Sequence, residues 1–248
     1  MIASLPMYDR PETAAANDRY WELIRDNLYF EKRNPPESLK RGGDMWEEWQ
    51  SADLFLSQTC GLPYRTRLHG HVTLVGTPVH DLSCEPGYYY SVVIARKNDD
   101  RQSIEEFSGA VIAVNGWGSQ SGWAAPQNFA ADHGFAFQRA HVSGGHGASA
   151  LAVAEGVAEI AALDAVTWKM LCRFDEFTRD LKEITQTPPT PALPYISAKG
   201  HNIDDLHNAV SIAIDQLSAE DRETLCLKGL TAIHPDLYLA VPTPAPLE

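Results

Sequence analysis

The sequence predicts an α/β protein with mostly parallel sheet. Two observations carry that expectation. Short apolar runs alternate along the chain with segments whose apolar residues recur every three or four positions, the spacing of one helical face. Between them lie turns rich in glycine, serine and proline. The 248 residues suit one large domain or two small lobes, and no internal repeat divides them further.

The elements follow in order. Residues 1–8 read as a strand that stops at the polar turn of Tyr8, Asp9, Arg10 and Pro11. A helix is expected over 12–30, because Asn17, Trp21, Ile24 and Leu28 share a face, and Asn34, Pro35 and Pro36 end it. Residues 54–56 form a short buried strand closed by Cys60, Gly61, Leu62 and Pro63. Trp46 and Trp49 lie on an amphipathic helix face. Strands at 72–79 and 88–96 flank the turn of Glu85, Pro86 and Gly87. A strand at 110–114 enters a glycine- and serine-rich loop, and a helix follows at 121–133. The unit recurs: strand 135–142, tight loop 143–147, helix 148–158, then strand 160–163 ending at Asp164 and a helix through Trp168. A proline-rich passage at 188–194 reads as an extended crossover or a surface loop. The last helix spans 202–217, with Ile203, Leu206, Val210, Ile214 and Leu217 in phase.

Composition removes several functions. Lys+Arg 20 against Asp+Glu 33 gives a net charge of −13, which argues against a nucleic-acid surface because phosphate neutralisation needs a basic face. Apolar runs such as 110–114 fall far below the roughly 18 residues of a membrane helix. The start has neither a basic segment nor a long apolar one, so no secretory signal is read there. Cys60, Cys84, Cys172 and Cys226 lack the close spacing of a zinc ribbon or a redox pair. They read as ordinary thiols, with Cys60 and Cys84 the pair to test in an oxidising compartment. His69 and His71 would share a face on a strand, with His80 nearby, but no third metal ligand follows at a telling spacing. Neither a metal nor a cofactor is expected.

Three loops can carry chemistry. After 110–114 come Asn115, Gly116, Trp117, Gly118, Ser119, Gln120, Ser121, Gly122 and Trp123. Small residues and hydroxyls at a strand-to-helix joint suit an oxyanion, since a helix start offers unpaired N–H donors and a positive dipole end. The same residues also suit a plain helix cap. No Walker lysine and no G-x-S-x-G elbow is present. The turn Ser143, Gly144, Gly145, His146, Gly147 sits at an equivalent joint, with Ser149 following. His146 is there a donor to an oxyanion or a solvent-facing residue. Asp164 ends a third strand, as a ligand acceptor or a helix cap. Ligands of open α/β sheets bind at such carboxyl ends. Ser121, His146 and Asp164 imitate a hydrolytic triad in type. Tyr64, Tyr88, Tyr89, Tyr90, Trp117, Trp123 and Trp168 are candidates for lining a pocket or caging a cation, or for core and rim positions.

On these residues the chain resembles the phosphate, phosphite and phosphonate substrate-binding proteins of ABC transporters, of the type II periplasmic binding fold. The matching stretches are 2–8, 87–94, 114–122 and 143–164. The last is the most specific, with its Ser-Gly-x-His turn, alanine-rich helix and strand ending in aspartate. The resemblance implies two α/β lobes, each a mostly parallel sheet flanked by helices, joined by a two-stranded hinge near 84–90 and 185–194. Lobe 1 would comprise 1–86 and 188–248, and lobe 2 would comprise 87–187. The family's binding positions fall on Tyr8, Tyr64, Ser119, Gln120, Ser121, His146 and Asp164, with Trp117 as an aromatic flank. The implied function is capture of a small oxyanion by a non-catalytic protein that serves an ABC permease. The implied place is the periplasm, with the cytoplasm open for a chain that shows no signal. An enzyme or a ligand sensor on the same fold remains the alternative. Gln120 interrupts the usual run of hydroxyls, and Trp117 and Trp123 flank it, so a bulkier, flatter or cationic ligand also stays open. Given the −13, an anion must be held by neutral donors at Ser119, Ser121, His146 and the helix starts.

Overall fold

The computed structural model describes residues 1–28 and 35–247. The expected end of the first helix at 29–30, and Asn34 of its stop, lie outside the described residues. In chain order the strands are β1 (Ile2–Ser4), β2 (Leu54–Gln58), β3 (Val72–His80), β4 (Tyr88–Tyr89), β5 (Ser91–Arg96), β6 (Val111–Val114), β7 (Arg139–Val142), β8 (Ile160–Asp164), β9 (Leu181–Gln186), β10 (Thr190–Pro191), β11 (Tyr195–Ala198) and β12 (Leu227–Thr231). The helices are α1 (Ala14–Leu28), α2 (Met45–Trp49), α3 (Gly61–Pro63), α4 (Ala125–Asp132), α5 (His146–Ala154), α6 (Ala165–Phe174), α7 (Ile203–Gln216), α8 (Ala219–Thr224) and α9 (Pro235–Leu239).

The chain divides into two compact units, Met1–Tyr88 with Pro191–Leu239, and Tyr89–Thr190 with Ala240–Glu248. Unit 1 is a five-stranded sheet in the order β1-β2-β11-β3-β12. One core cluster joins the sheet to α1 and α7. Trp21, Ile24 and Leu28 of α1 meet Leu206, Val210 and Ile214 of α7 and Phe55 and Val75 of the sheet. Each such side chain contributes about 1.5–3 kcal/mol on burial. The other cluster holds Trp49, Leu54, Tyr64, Val72, Ile196 and Tyr238. Strand alternation separates the two, with Tyr195 in one and Ile196 in the other. Arg19 of α1 binds Asp221 of α8 through Nε at 3.0 Å and Nη2 at 2.5 Å.

Unit 2 is a second five-stranded sheet, in the order β7-β6-β8-β5-β9. Its core is Val93, Ile112, Val114, Trp123, Phe137 and Ile160 with their neighbours. The expected parallel pairing holds for β1–β2, β6–β7 and β6–β8. It gives way to antiparallel pairing at β11–β2, β11–β3, β12–β3, β5–β8 and β5–β9. Parallel neighbours need a helical crossover, and four of the five antiparallel ladders involve β5 or β11, the strands that carry the chain into unit 2 and back into unit 1.

Other elements differ from expectation: of the strand expected over 1–8 only Ile2–Ser4 forms, and the one expected over 88–96 is broken at Tyr90. Over 135–142 only β7 is strand, because Gln127 of α4 takes both backbone groups of Phe137. Its Nε2 donates to Phe137 O and its Oε1 accepts from Phe137 N–H, each at 2.9 Å. The helix expected at 148–158 starts earlier and stops earlier, as α5. Gly145 is extended ahead of it. Behind it Gly156, at φ +81, sets a Schellman stop, with Val157 N–H to Ala152 O at 2.9 Å and Gly156 N–H to Val153 O at 3.1 Å.

The chain passes between units at 88–89 and 190–191, where β4 and β10 pair. It passes a third time after Leu239. The sequence reading placed 188–248 wholly with the first lobe, but residues 240–248 group with unit 2. Asn128 of α4 donates to Pro242 O at 3.1 Å, and Leu247 packs on the unit 2 core. No disulfide forms among Cys60, Cys84, Cys172 and Cys226.

Candidate ligand-binding site

In unit 2, β6, β7 and β8 all end at one edge; β6 and β7 open there into polar turns, and β8 runs straight into α6. Past β6, Gly116 at φ +157 swings the chain into the serine loop. Ser119 is extended and caps the turn that follows, its Oγ accepting Gly122 N–H at 2.9 Å. Residues 120–124 form a single π-helical turn that leads into α4. Ser119, Gln120, Ser121 and Trp123 are all buried, while Trp117 is partly exposed with its ring on Trp123 at 4.7 Å between centroids.

Past β7, Ser143 ties the second turn down. Its N–H donates to Val114 O at 2.8 Å, and its Oγ lies 2.7 Å from Ser149 Oγ. That fixes the first residue of α5, which is His146. The two turns then meet: Ser121 Oγ lies 2.9 Å from His146 Nε2. Ser121 is braced from behind, because Ser91 Oγ donates to its carbonyl at 2.9 Å.

The imidazole is neutral. Its Nδ1 is enclosed without a hydrogen-bond partner, and burial pushes the His146 pKa down to about 4. Protonation would add a charge that nothing there compensates. The tautomer protonated at Nε2 donates to Ser121 Oγ and leaves Nδ1 as an acceptor, cheaper than leaving a buried donor unpaired. Ser121 then keeps its own O–H for a ligand.

Asp164 ends β8 and caps α6. Its Oδ1 accepts Val166 N–H at 2.8 Å and Thr167 N–H at 2.9 Å. With Nδ1 of His146 unpartnered, the structure joins Ser121 to His146 but completes no Ser-His-Asp relay.

Unit 1 carries the remaining expected residues. Tyr8 follows β1, accepts Thr13 Oγ1–H at its carbonyl at 2.7 Å and packs edge-on against His80 at 5.2 Å. Tyr64 is buried, with Tyr238 at 5.2 Å and His69 at 5.9 Å between ring centroids. Residues 69–71 are not strand: Gly70 turns at φ +80, so His69 and His71 lack the shared face that a strand would give them. No cluster of three or more metal-ligating side chains occurs among the described residues.

Sequence reasoning passed over three supports of the site. Ser91 and Ser143 act through backbone and hydroxyl partners that no spacing announces. Asn115 places Oδ1 1.9 Å from where a Cβ on Gly122 would stand. The paired glycine and asparagine were visible in the loop, but not their contact.

Residues 52–235 match the family described as the periplasmic substrate-binding protein of phosphonate ABC transporters. The chain belongs to that family. Among solved structures it is similar to PhnD1 from Prochlorococcus marinus in complex with methylphosphonate, at TM-score 0.70 and 16% identity, over 96% of this chain and 94% of that one. It is similar also to PA3383 from Pseudomonas aeruginosa, a binding protein component of an ABC phosphonate transporter, at TM-score 0.69 and 19% identity, over 95% and 82%. A third is XAC2383 from Xanthomonas citri bound to ATP, at TM-score 0.69 and 14% identity, over 92% and 94%. At these identities the likeness is one of fold. No curated protein matches the chain. No helix among the described residues is long and apolar enough to cross a membrane.

Proposed function

We propose that this chain captures a small phosphate- or phosphonate-class oxyanion and delivers it to an ABC permease, working in the periplasm without chemical turnover. The observation that carries the reading is the 2.9 Å meeting of Ser121 Oγ and His146 Nε2. It brings a hydroxyl and an imidazole from two strand ends to one point, beside the start of the turn that leads into α4. The imidazole gives its one proton to Ser121 Oγ and leaves the Ser121 O–H free for an anion, a neutral donor that needs no basic patch in a chain of net charge −13. Ser119, Gln120, Trp117 and Asp164 are proposed as the rest of the unit 2 contacts, and Tyr8 and Tyr64 as those of unit 1. PhnD1 with its methylphosphonate supports the ligand class. XAC2383 with its ATP supports keeping nucleotides in the test.

The test is a thermal-shift panel of phosphate, methylphosphonate, sulfate, ATP and a quaternary amine. A ligand that binds only the folded state raises the melting temperature as its concentration passes Kd. Phosphate or methylphosphonate should raise it, and Ser121→Ala with His146→Ala should abolish the rise. A shift with the amine alone would overturn the oxyanion reading and leave the fold intact. Turnover of bound ligand, lost in His146→Ala, would make the protein an enzyme.

A further inference from the structure

Asn115 stands directly after β6, at the root of the serine loop. Its backbone is held on both sides. Val114 O accepts Ser143 N–H at 2.8 Å, and Gly116 turns the chain immediately after. Its side chain is held just as firmly. Oδ1 is enclosed without a hydrogen-bond partner and lies against Gly122, where a Cβ would come within 1.9 Å of it and within 2.9 Å of Cγ. Only glycine at 122 leaves that space, and Gly122 N–H is already committed to Ser119 Oγ.

This contact decides which way the amide faces. A carbonyl oxygen against a Cα–H is weakly attractive, whereas an amide N–H in the same place is repulsive. With Oδ1 turned inward, the NH2 group turns away from Gly122. No partner holds that nitrogen among the described residues, and it is not enclosed as Oδ1 is. Ser121 is the residue next to Gly122, so the amide lies within the same loop as the serine hydroxyls.

We propose that Asn115 is a further ligand-contacting residue, its NH2 group donating to the bound oxyanion, with Gly122 present to seat the amide in that orientation. The inference rests on the oxyanion reading of the serine loop. It also answers the interruption of the hydroxyls at Gln120, because Asn115 supplies a neutral donor from the other end of the loop. An uncharged amide suits the site in the same way as the neutral His146.

The experiment is calorimetric titration of phosphate and methylphosphonate into wild type, Ser121→Ala, Asn115→Ala and Asn115→Asp, with a melting curve for each. Loss of one donor to a charged group should weaken binding about 10- to 100-fold in Asn115→Ala. Asn115→Asp keeps the shape but replaces the donor by an acceptor that carries charge, so it should bind more weakly than Asn115→Ala. A purely structural asparagine predicts the reverse order, because the aspartate fills the seat and the alanine empties it. The melting curves keep unfolding apart from loss of contact. Asn115→Asp binding within threefold of wild type, while Ser121→Ala loses affinity, would overturn the role of Asn115 alone. Failure of wild type to bind either anion would overturn the oxyanion reading and this inference together.

Discussion

Ser121 Oγ and His146 Nε2, from two different strand-to-helix joints, lie 2.9 Å apart. This contact ties the serine loop to the first residue of α5, and each side chain depends on the other for its place. Ser121→Ala removes the partner of Nε2 and one ligand donor. It should weaken phosphate or methylphosphonate binding about 10- to 100-fold and lower stability by about 1–2 kcal/mol. Calorimetry and urea unfolding measure the two effects separately.

The depressed His146 pKa makes stability depend on acid. An unfolded histidine takes its proton near 6.5, whereas the folded one resists until about 4. Between those values the unfolded chain binds more protons, so this group's contribution to stability falls as pH falls. Above 6.5 it is flat. The loss should be roughly 2 kcal/mol, allowing for the intermediate exposure of the residue as a whole. Urea unfolding at pH 7 and pH 4.5 should show a smaller acid loss in His146→Gln than in wild type. Equal losses would mean that His146 protonates freely in the folded chain.

Gly122→Ala should be costly although its backbone is not in the left-handed region. The new methyl would stand 1.9 Å from Asn115 Oδ1 and 3.2 Å from Ser119 Oγ. Relief requires displacing Asn115, so the change should cost about 1–3 kcal/mol and reduce anion affinity as well. Gly118→Ala, which meets nothing within 4 Å, is the control in the same loop and should change stability little.

Asp164 separates structure from binding. Asp164→Ala leaves the N–H groups of Val166 and Thr167 without their cap and should cost about 1–2 kcal/mol. Asp164→Asn can still cap and should stay within about 0.5 kcal/mol of wild type. If Asp164 also accepts from a protonated ligand oxygen, Asp164→Asn should change affinity without moving the melting temperature.

Tyr238 locks α9 in unit 1. Its hydroxyl donates to Ala192 O at 2.8 Å and lies 2.7 Å from Thr77 Oγ1, all in a buried setting. Tyr238→Phe strands both partners and should cost about 1–3 kcal/mol in chemical unfolding.

Much of this was legible in the sequence because the signals were local. The α1 face of Asn17, Trp21, Ile24 and Leu28 is buried as its spacing foretold, as is the α7 face of Leu206, Val210 and Ile214. The glycines and serines marked the two loops correctly. What the sequence hid depends on partners distant along the chain. Gln127 converts an apparent strand into an irregular segment by capturing Phe137. The C-terminal segment joins unit 2 through Asn128 and Leu247, which composition could not reveal. The hydroxyls of Ser91 and Ser143 look like any other serines until their acceptors are placed. Gly122 looks like a turn glycine, although its positional demand comes from the Asn115 side chain.

The central claim is that the loops of Ser121 and His146 bind a phosphate-class anion with neutral donors. Calorimetric titration of methylphosphonate into the wild-type chain and the Ser121→Ala, His146→Ala double variant tests it most directly. The account predicts saturable one-site binding to wild type and none to the double variant, with both proteins folded. Equal binding to the two, or none to wild type alongside saturable binding of a quaternary amine, would contradict it.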